Sequence, residues 1–158
     1  MGFADFVCFE ALIPELHAAD RDGAIAELVT ALDKAGRLGK NNCEKIIKAM
    51  VKREKEASTG MGKGIAVPHI KHKAVKDVVA AIGCSSAGID FSALDKQPVY
   101  LVVLLVSPVD DPDRHLLMME HVFKHLQQEK FRKFLRQSQT VEQIKVLLLE
   151  ADENHQFY

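Results

Sequence analysis

The sequence predicts an α/β fold, a mixed β-sheet covered by helices, and three observations lead there. Val99 to Val106 is the longest continuous apolar run, β-branched and closed by Ser107-Pro108, as expected of a strand buried on both faces. Ahead of it, Ile25, Leu28, Val29 and Leu32 recur at helical spacing. Behind it, Leu116, Met119, Val122, Phe123 and Leu126 do the same. Helices that precede and follow a set of central strands describe a sheet with helical layers.

Taken in order, Phe6 to Glu10 is apolar and aromatic enough for a first strand, limited by Pro14. Asp20 is placed to cap the first helix and Gly36 to stop it. Asn41 or Asn42 starts the next, whose face is Ile46, Ile47, Met50 and Val51. That helix should end near Glu56, which puts Arg53 in its last turn, facing the glycine loop that follows. Ile65-Ala66-Val67 is too short for a helix and reads as a brief buried strand. Pro68 lacks an N–H, so pairing should stop there and leave His69 at a strand end. Val78 to Cys84 reads as a strand and Gly88 to Gln97 as a turn-rich connection. Asp111-Pro112 is a helix start, with Asp111 as N-cap and the proline at the first helical position. Phe131, Phe134 and Leu135 suit a short helix, and Val141, Ile144, Leu147 and Leu148 a last one begun by Thr140. The tail from Ala151 to Tyr158 has little pattern and should be loosely held.

The 158 residues fit one domain, with a core over about residues 6–150. A formal net charge of −1 gives no pull toward nucleic acid. No apolar run approaches the roughly 20 residues of a membrane span. The start lacks a basic leader, and Phe6 stands where a myristoylation motif needs Ser or Thr. Cys8, Cys43 and Cys84 are odd in number and widely spaced, which favours buried free thiols. A cytoplasmic location follows.

The chemistry concentrates in Ser58-Thr59-Gly60-Met61-Gly62-Lys63-Gly64-Ile65-Ala66-Val67-Pro68-His69. A Walker A loop is excluded, because Ala57 occupies its first glycine position and Gly64 follows Lys63 where Ser or Thr belongs. The dinucleotide fingerprint is excluded too: the glycines are spaced GxGxG and lead into a strand-like run. What remains is a histidine beside a glycine loop whose amides could form an anion nest. A neutral imidazole is a good nucleophile, provided one ring nitrogen offers its lone pair while the other is held by a hydrogen bond. His115, in the first turn of a predicted helix, lies where free N–H groups and a positive dipole end attract anions.

The stretch from Arg53-Glu54 through Ser58-Thr59-Gly60 to Pro68-His69 resembles the fructose/mannitol/nitrogen-regulatory type of phosphotransferase-system (PTS) enzyme IIA domain. The likeness continues through Gly88-Ile89-Asp90-Phe91, Pro98 to Pro108, and His115-Leu116. It implies helices on both faces of the sheet, as in phosphotransferase/anion-transport-protein-like folds. It also implies a phosphocarrier that takes a phosphoryl group on His69 from HPr or its nitrogen-branch counterpart, without cofactor or metal. His115 then supports the acceptor, Arg53 neutralises phosphoryl charge, and Thr59 touches the phosphate or shapes the turn. With no permease, IIB or HPr segment in the sequence, the nitrogen-regulatory branch, acting on a regulatory target, is the expectation. The alternatives are a sugar-specific IIA passing phosphate to a IIB partner and a non-phosphorylated interaction module. A metal enzyme using His69, His72 and His115 is a further one. Ile70, where the family more often has a small residue, departs from the pattern. His17, His72, His121, His125 and His155 are expected to be structural or solvated, with His121 and His125 on a solvated helix face.

Overall fold

The computed structural model describes residues 2–93 and 95–153. After a single 3-10 turn at Phe3–Asp5 come β1 (Val7–Ile13), α1 (Arg21–Lys34), α2 (Cys43–Glu56), β2 (Gly60–Gly62), β3 (Ile65–Ala66) and β4 (His69–Lys71). The chain continues with β5 (Val79–Ile89), β6 (Val99–Ser107), α3 (Pro112–Leu126), α4 (Glu129–Gln137) and α5 (Val141–Glu153). The strands form one mixed sheet in the order β1-β5-β6-β3-β2, with β4 also paired to β6. β1 and β5 are parallel, β5 and β6 antiparallel, and β3 and β4 both run parallel to β6.

Alternation along β6 builds two cores. Leu101, Val103 and Leu105 point to the face covered by α3, α4 and α5, and Val102, Leu104 and Val106 to the face covered by α1 and α2. The sheet is therefore flanked by helices on both faces, and β6 is its buried axis.

The caps largely follow the expected chemistry. Asp20 Oδ1 accepts from the Gly23 N–H at 2.8 Å and opens α1. Gly36, at φ 76°, closes it: its N–H goes to Asp33 and that of Arg37 to Leu32, a Schellman ending. Asn42 takes the N-cap position of α2, but its side chain donates instead to the Leu38 carbonyl. Asp111 accepts from the Arg114 N–H at 3.1 Å and Thr140 from the Gln143 N–H at 3.1 Å.

Several expectations need correction. β1 and β5 extend further than Phe6–Glu10 and Val78–Cys84, and β5 takes in Gly88 and Ile89. Leu116, Phe134 and Val141 are exposed although they match the helical spacing; Met118 fills the core in place of Leu116. Of the three free cysteines, Cys8 and Cys84 are buried but Cys43 is half-buried. His121 and His125 do not form a solvated face. The Phe3–Asp5 turn folds over them, and Phe3 lies edge-on to both rings at 4.6 and 4.9 Å. Ala151 to Glu153 belong to α5; residues 154–158, with His155, lie outside the described residues. Among the described residues, no helix is long and apolar enough to cross a membrane.

Candidate functional site

The site forms where β4 and β6 reach their carboxyl ends and α3 begins. Pro68 does not end the pairing as expected. Its carbonyl accepts from the Leu105 N–H at 3.0 Å, and His69–Lys71 continue along Leu105–Ser107. The missing N–H removes one rung on the β6 side, but the carbonyl of the same residue keeps the next, and the register of Ile65 with Leu101 carries through unchanged to His69 with Leu105. His69 sits in an edge segment, one face-repeat beyond Ile65 and Val67, which pack on the α3 side.

Its ring is oriented from behind. His69 Nδ1 lies 2.7 Å from the Val67 carbonyl, which can only accept, so Nδ1 carries the proton and Nε2 holds the lone pair. The His115 ring is its neighbour, centroid to centroid 5.6 Å. His115 lies in the first turn of α3, is 8% exposed, and its Nδ1 is 2.6 Å from Ser107 Oγ at the end of β6. Burial, then the positive potential from His69 and Lys71, holds its pKa below the ordinary imidazole value. His115 is thus a neutral hydrogen-bonding group at neutral pH.

The other expected residues are arranged differently. Arg53 is in the last turn of α2, and its Nη1 donates to the Ala57 carbonyl at 2.7 Å, not to either histidine. Thr59 gives its N–H and its hydroxyl to Glu54, at 3.0 and 2.5 Å, while its carbonyl receives the Val67 N–H. Glu54, 2% exposed, therefore ties the end of α2 to Thr59, whose carbonyl in turn holds the Val67 N–H two residues before His69. The glycine loop is a β2–β3 hairpin with Lys63 at φ 59° and Gly64 at φ 75°, both central residues left-handed as a type I′ turn requires. Its tip pairs with Tyr100 and Leu101, five residues back from His69, about 16 Å at a strand rise of about 3.3 Å per residue. The tip amides are too far away to cradle a group on His69. His72 turns inward, its Nδ1 accepting from the Ala74 N–H at 3.0 Å. Among the described residues, no three His, Cys, Asp or Glu side chains converge to hold a metal.

This geometry can be set beside known proteins. The profile of the family described as "Phosphoenolpyruvate-dependent sugar phosphotransferase system, EIIA 2" matches residues 9–151. The chain belongs to this family. The fructose-specific EIIA component of Haloferax volcanii is 32% identical over 144 residues, 91% of this chain and 92% of that one. The nitrogen regulatory protein of Bradyrhizobium diazoefficiens is 31% identical over 144 residues, again 91% and 92%. The fructose-specific EIIABC component of Bacillus subtilis is 34% identical over 129 residues, of which this chain spans only 20% of the longer protein. In fold, the nitrogen regulatory protein IIA-Ntr of Neisseria meningitidis superposes with a TM-score of 0.82 at 22% identity, covering 92% of this chain and 98% of that one.

Within this EIIA domain, sequence reasoning did not single out Glu54, Ser107 or the Val67 carbonyl. Glu54 and Ser107 lie inside stretches that carry the family likeness, so a signal was present. It did not say what either side chain would touch.

Proposed function

We propose that this EIIA domain is a phosphocarrier whose acceptor atom is Nε2 of His69. The 2.7 Å bond from Nδ1–H to the Val67 carbonyl carries the reading, because it commits the opposite nitrogen to nucleophilic attack. The donor is HPr or its nitrogen-branch counterpart, itself bearing phosphohistidine. The Nε2 lone pair forms the new N–P bond as the donor's N–P bond breaks, and the departing imidazole keeps that electron pair. The proton on Nδ1 stays in place, where the Val67 carbonyl offsets the positive charge that spreads over the ring. His115 hydrogen-bonds a phosphoryl oxygen, and the amino end of α3 adds its positive dipole. Little covalent work is asked of the protein; transfer depends on position and charge. Arg53 and Thr59 hold the approach to His69 in shape, and Arg53 neutralises phosphoryl charge directly once its guanidinium leaves Ala57.

Relatives of both branches stand at similar identity. We retain the nitrogen-regulatory reading, with a regulatory protein as target. The sugar-specific reading, with a IIB acceptor, is favoured by one observation. A structural neighbour is the complex of enzyme IIA-mannitol and phosphorylated enzyme IIB-mannitol from Escherichia coli, with a TM-score of 0.73.

Incubation with phosphoenolpyruvate, enzyme I and either HPr type, followed by mass spectrometry at neutral or alkaline pH, tests both points. One acid-labile phosphate is expected on His69 and none in His69→Ala, with the faster donor naming the branch. No phosphate from either donor would leave an interaction module on this fold.

A further inference from the structure

Cations gather at the other end of the sheet from His69. Lys63 at the hairpin tip and Arg132, Lys133 and Arg136 on α4 line a cavity of about 640 Å³ together with Ser85 and Ser86 of β5. The carboxyl group in the lining is that of Glu129, and Glu15 stands just behind, accepting the Ser86 N–H at 3.0 Å. Four cations against one lining carboxyl group leave the cleft strongly positive, although the whole chain has a net charge of −1.

The cleft has a fixed frame. The Arg136 guanidinium lies 4.1 Å from the centre of the Tyr100 ring. That ring is gripped between Gly64 and Gly88, where a Cβ would come within 3.0 Å of its edges. Arg132 is anchored by an Nη1 bond to the Leu126 carbonyl at 2.6 Å. Ser85, 6% exposed, accepts the Gly88 N–H at 3.1 Å, which leaves its hydroxyl proton available to donate. Two guanidinium forks, two ammonium groups and a buried hydroxyl are the donors that adjacent phosphoryl groups select.

We propose that this cleft binds a small polyphosphate, of the class of pyrophosphate or a nucleoside di- or triphosphate, at a site separate from His69. The volume exceeds what one phosphate fills and falls in the range of small-molecule sites. Single-stranded nucleic acid fits less well, because Arg136 already occupies a face of the aromatic ring on which a base would stack.

The test is calorimetric titration of the full chain with pyrophosphate, ATP and orthophosphate at low salt, repeated with the Lys133→Ala/Arg136→Ala double variant and with His69→Ala. Both altered cleft residues are exposed, so the fold should survive, and circular dichroism checks it. Saturable binding is expected, at least about tenfold tighter for the polyphosphates than for orthophosphate, falling as salt rises. The double variant should lose at least about tenfold and His69→Ala nothing. No saturation by about 10 mM, or equal binding in the double variant, overturns the proposal. So does loss in His69→Ala alone, which would place the anion at the acceptor site. Binding of an acidic peptide as tight as that of ATP would overturn the polyphosphate class.

Discussion

Ser107 is fully buried, and its hydroxyl meets His115 at the nitrogen remote from any phosphoryl role. If the serine donates to Nδ1, the proton of His115 sits on Nε2, where it can be given to a phosphoryl oxygen. On the proposed function Ser107 is a positioning residue, and Ser107→Ala removes the group that selects the tautomer. Phosphorylation of His69 should slow about fivefold, the equivalent of about 1 kcal/mol, with Ser107→Thr restoring most of it. The discriminating readout is His115 itself, followed by NMR. Its pKa lies below 6.5 in the unphosphorylated protein, depressed first by burial, then by His69 and Lys71. A phosphoryl dianion next door should move it upward, and by less in Ser107→Ala. An unmoved His115 would mean that the two rings do not share the group. At this scale the sequence was legible only for residues whose own chemistry declares them. His69 and His115 stand out by residue type and motif, and their rings are neighbours, whereas Ser107 enters through a contact with a residue eight positions away and Glu54 through one across a helix end.

The helices were legible because their signals are local: Asp20, Asp111 and Thr140 cap by bonding three residues ahead. Pro68 was misread because a proline deletes only one rung of a ladder, and whether the strand goes on depends on the partner beside it, here β6, which pairs on both sides of the gap. The three glycines were misread for a similar reason. The left-handed backbone at Gly62 and Gly64 serves a hairpin as well as an anion nest, and the pairing with β6 decides between them. The 3-10 turn at Phe3–Asp5 was missed altogether, and it has a measurable consequence. It closes over α3, while Asp152 of α5 accepts the N–H groups of Phe3 and Ala4. His121, enclosed by this contact, is pushed down to about 4, first by burial and then by His125, against the pull of Asp152. The sign follows directly. Above pH about 6.5 the ring is neutral folded or unfolded; below it, only the unfolded chain takes the proton until about pH 4 is reached. Stability should therefore fall across that window as pH drops, by about 1–3 kcal/mol once solvent screening of the partly buried ring is allowed for. Urea midpoints measured from pH 7 to 4 should show this slope, and His121→Gln should remove most of it. Equal slopes in the two proteins would assign the acid sensitivity to another group.

At the scale of the molecule, one sheet separates two sites: the proposed acceptor His69 at the carboxyl ends of β4 and β6, and a cationic cleft about the hairpin at the opposite end. The proposed carrier role also requires that the acceptor be presented to another protein's active centre, across a surface that a partner can desolvate. Val109, Leu116 and Leu117 are 55%, 59% and 47% exposed, beside His115 on the chain that leads from β6 into α3. Large apolar groups left in water next to a reactive histidine are what a docking protein would cover. Covering one leucine contributes about 1.5–3 kcal/mol, so Leu116→Glu should raise KM for the phosphorylated donor protein by about tenfold or more. Phosphoramidate, a donor too small to use that surface, provides the control, and its rate should not change. Equal loss with both donors would locate the damage at the His69–His115 pair. An unchanged KM with the protein donor would remove Leu116 from the docking face, because a charge cannot be buried at the centre of an apolar contact without weakening it.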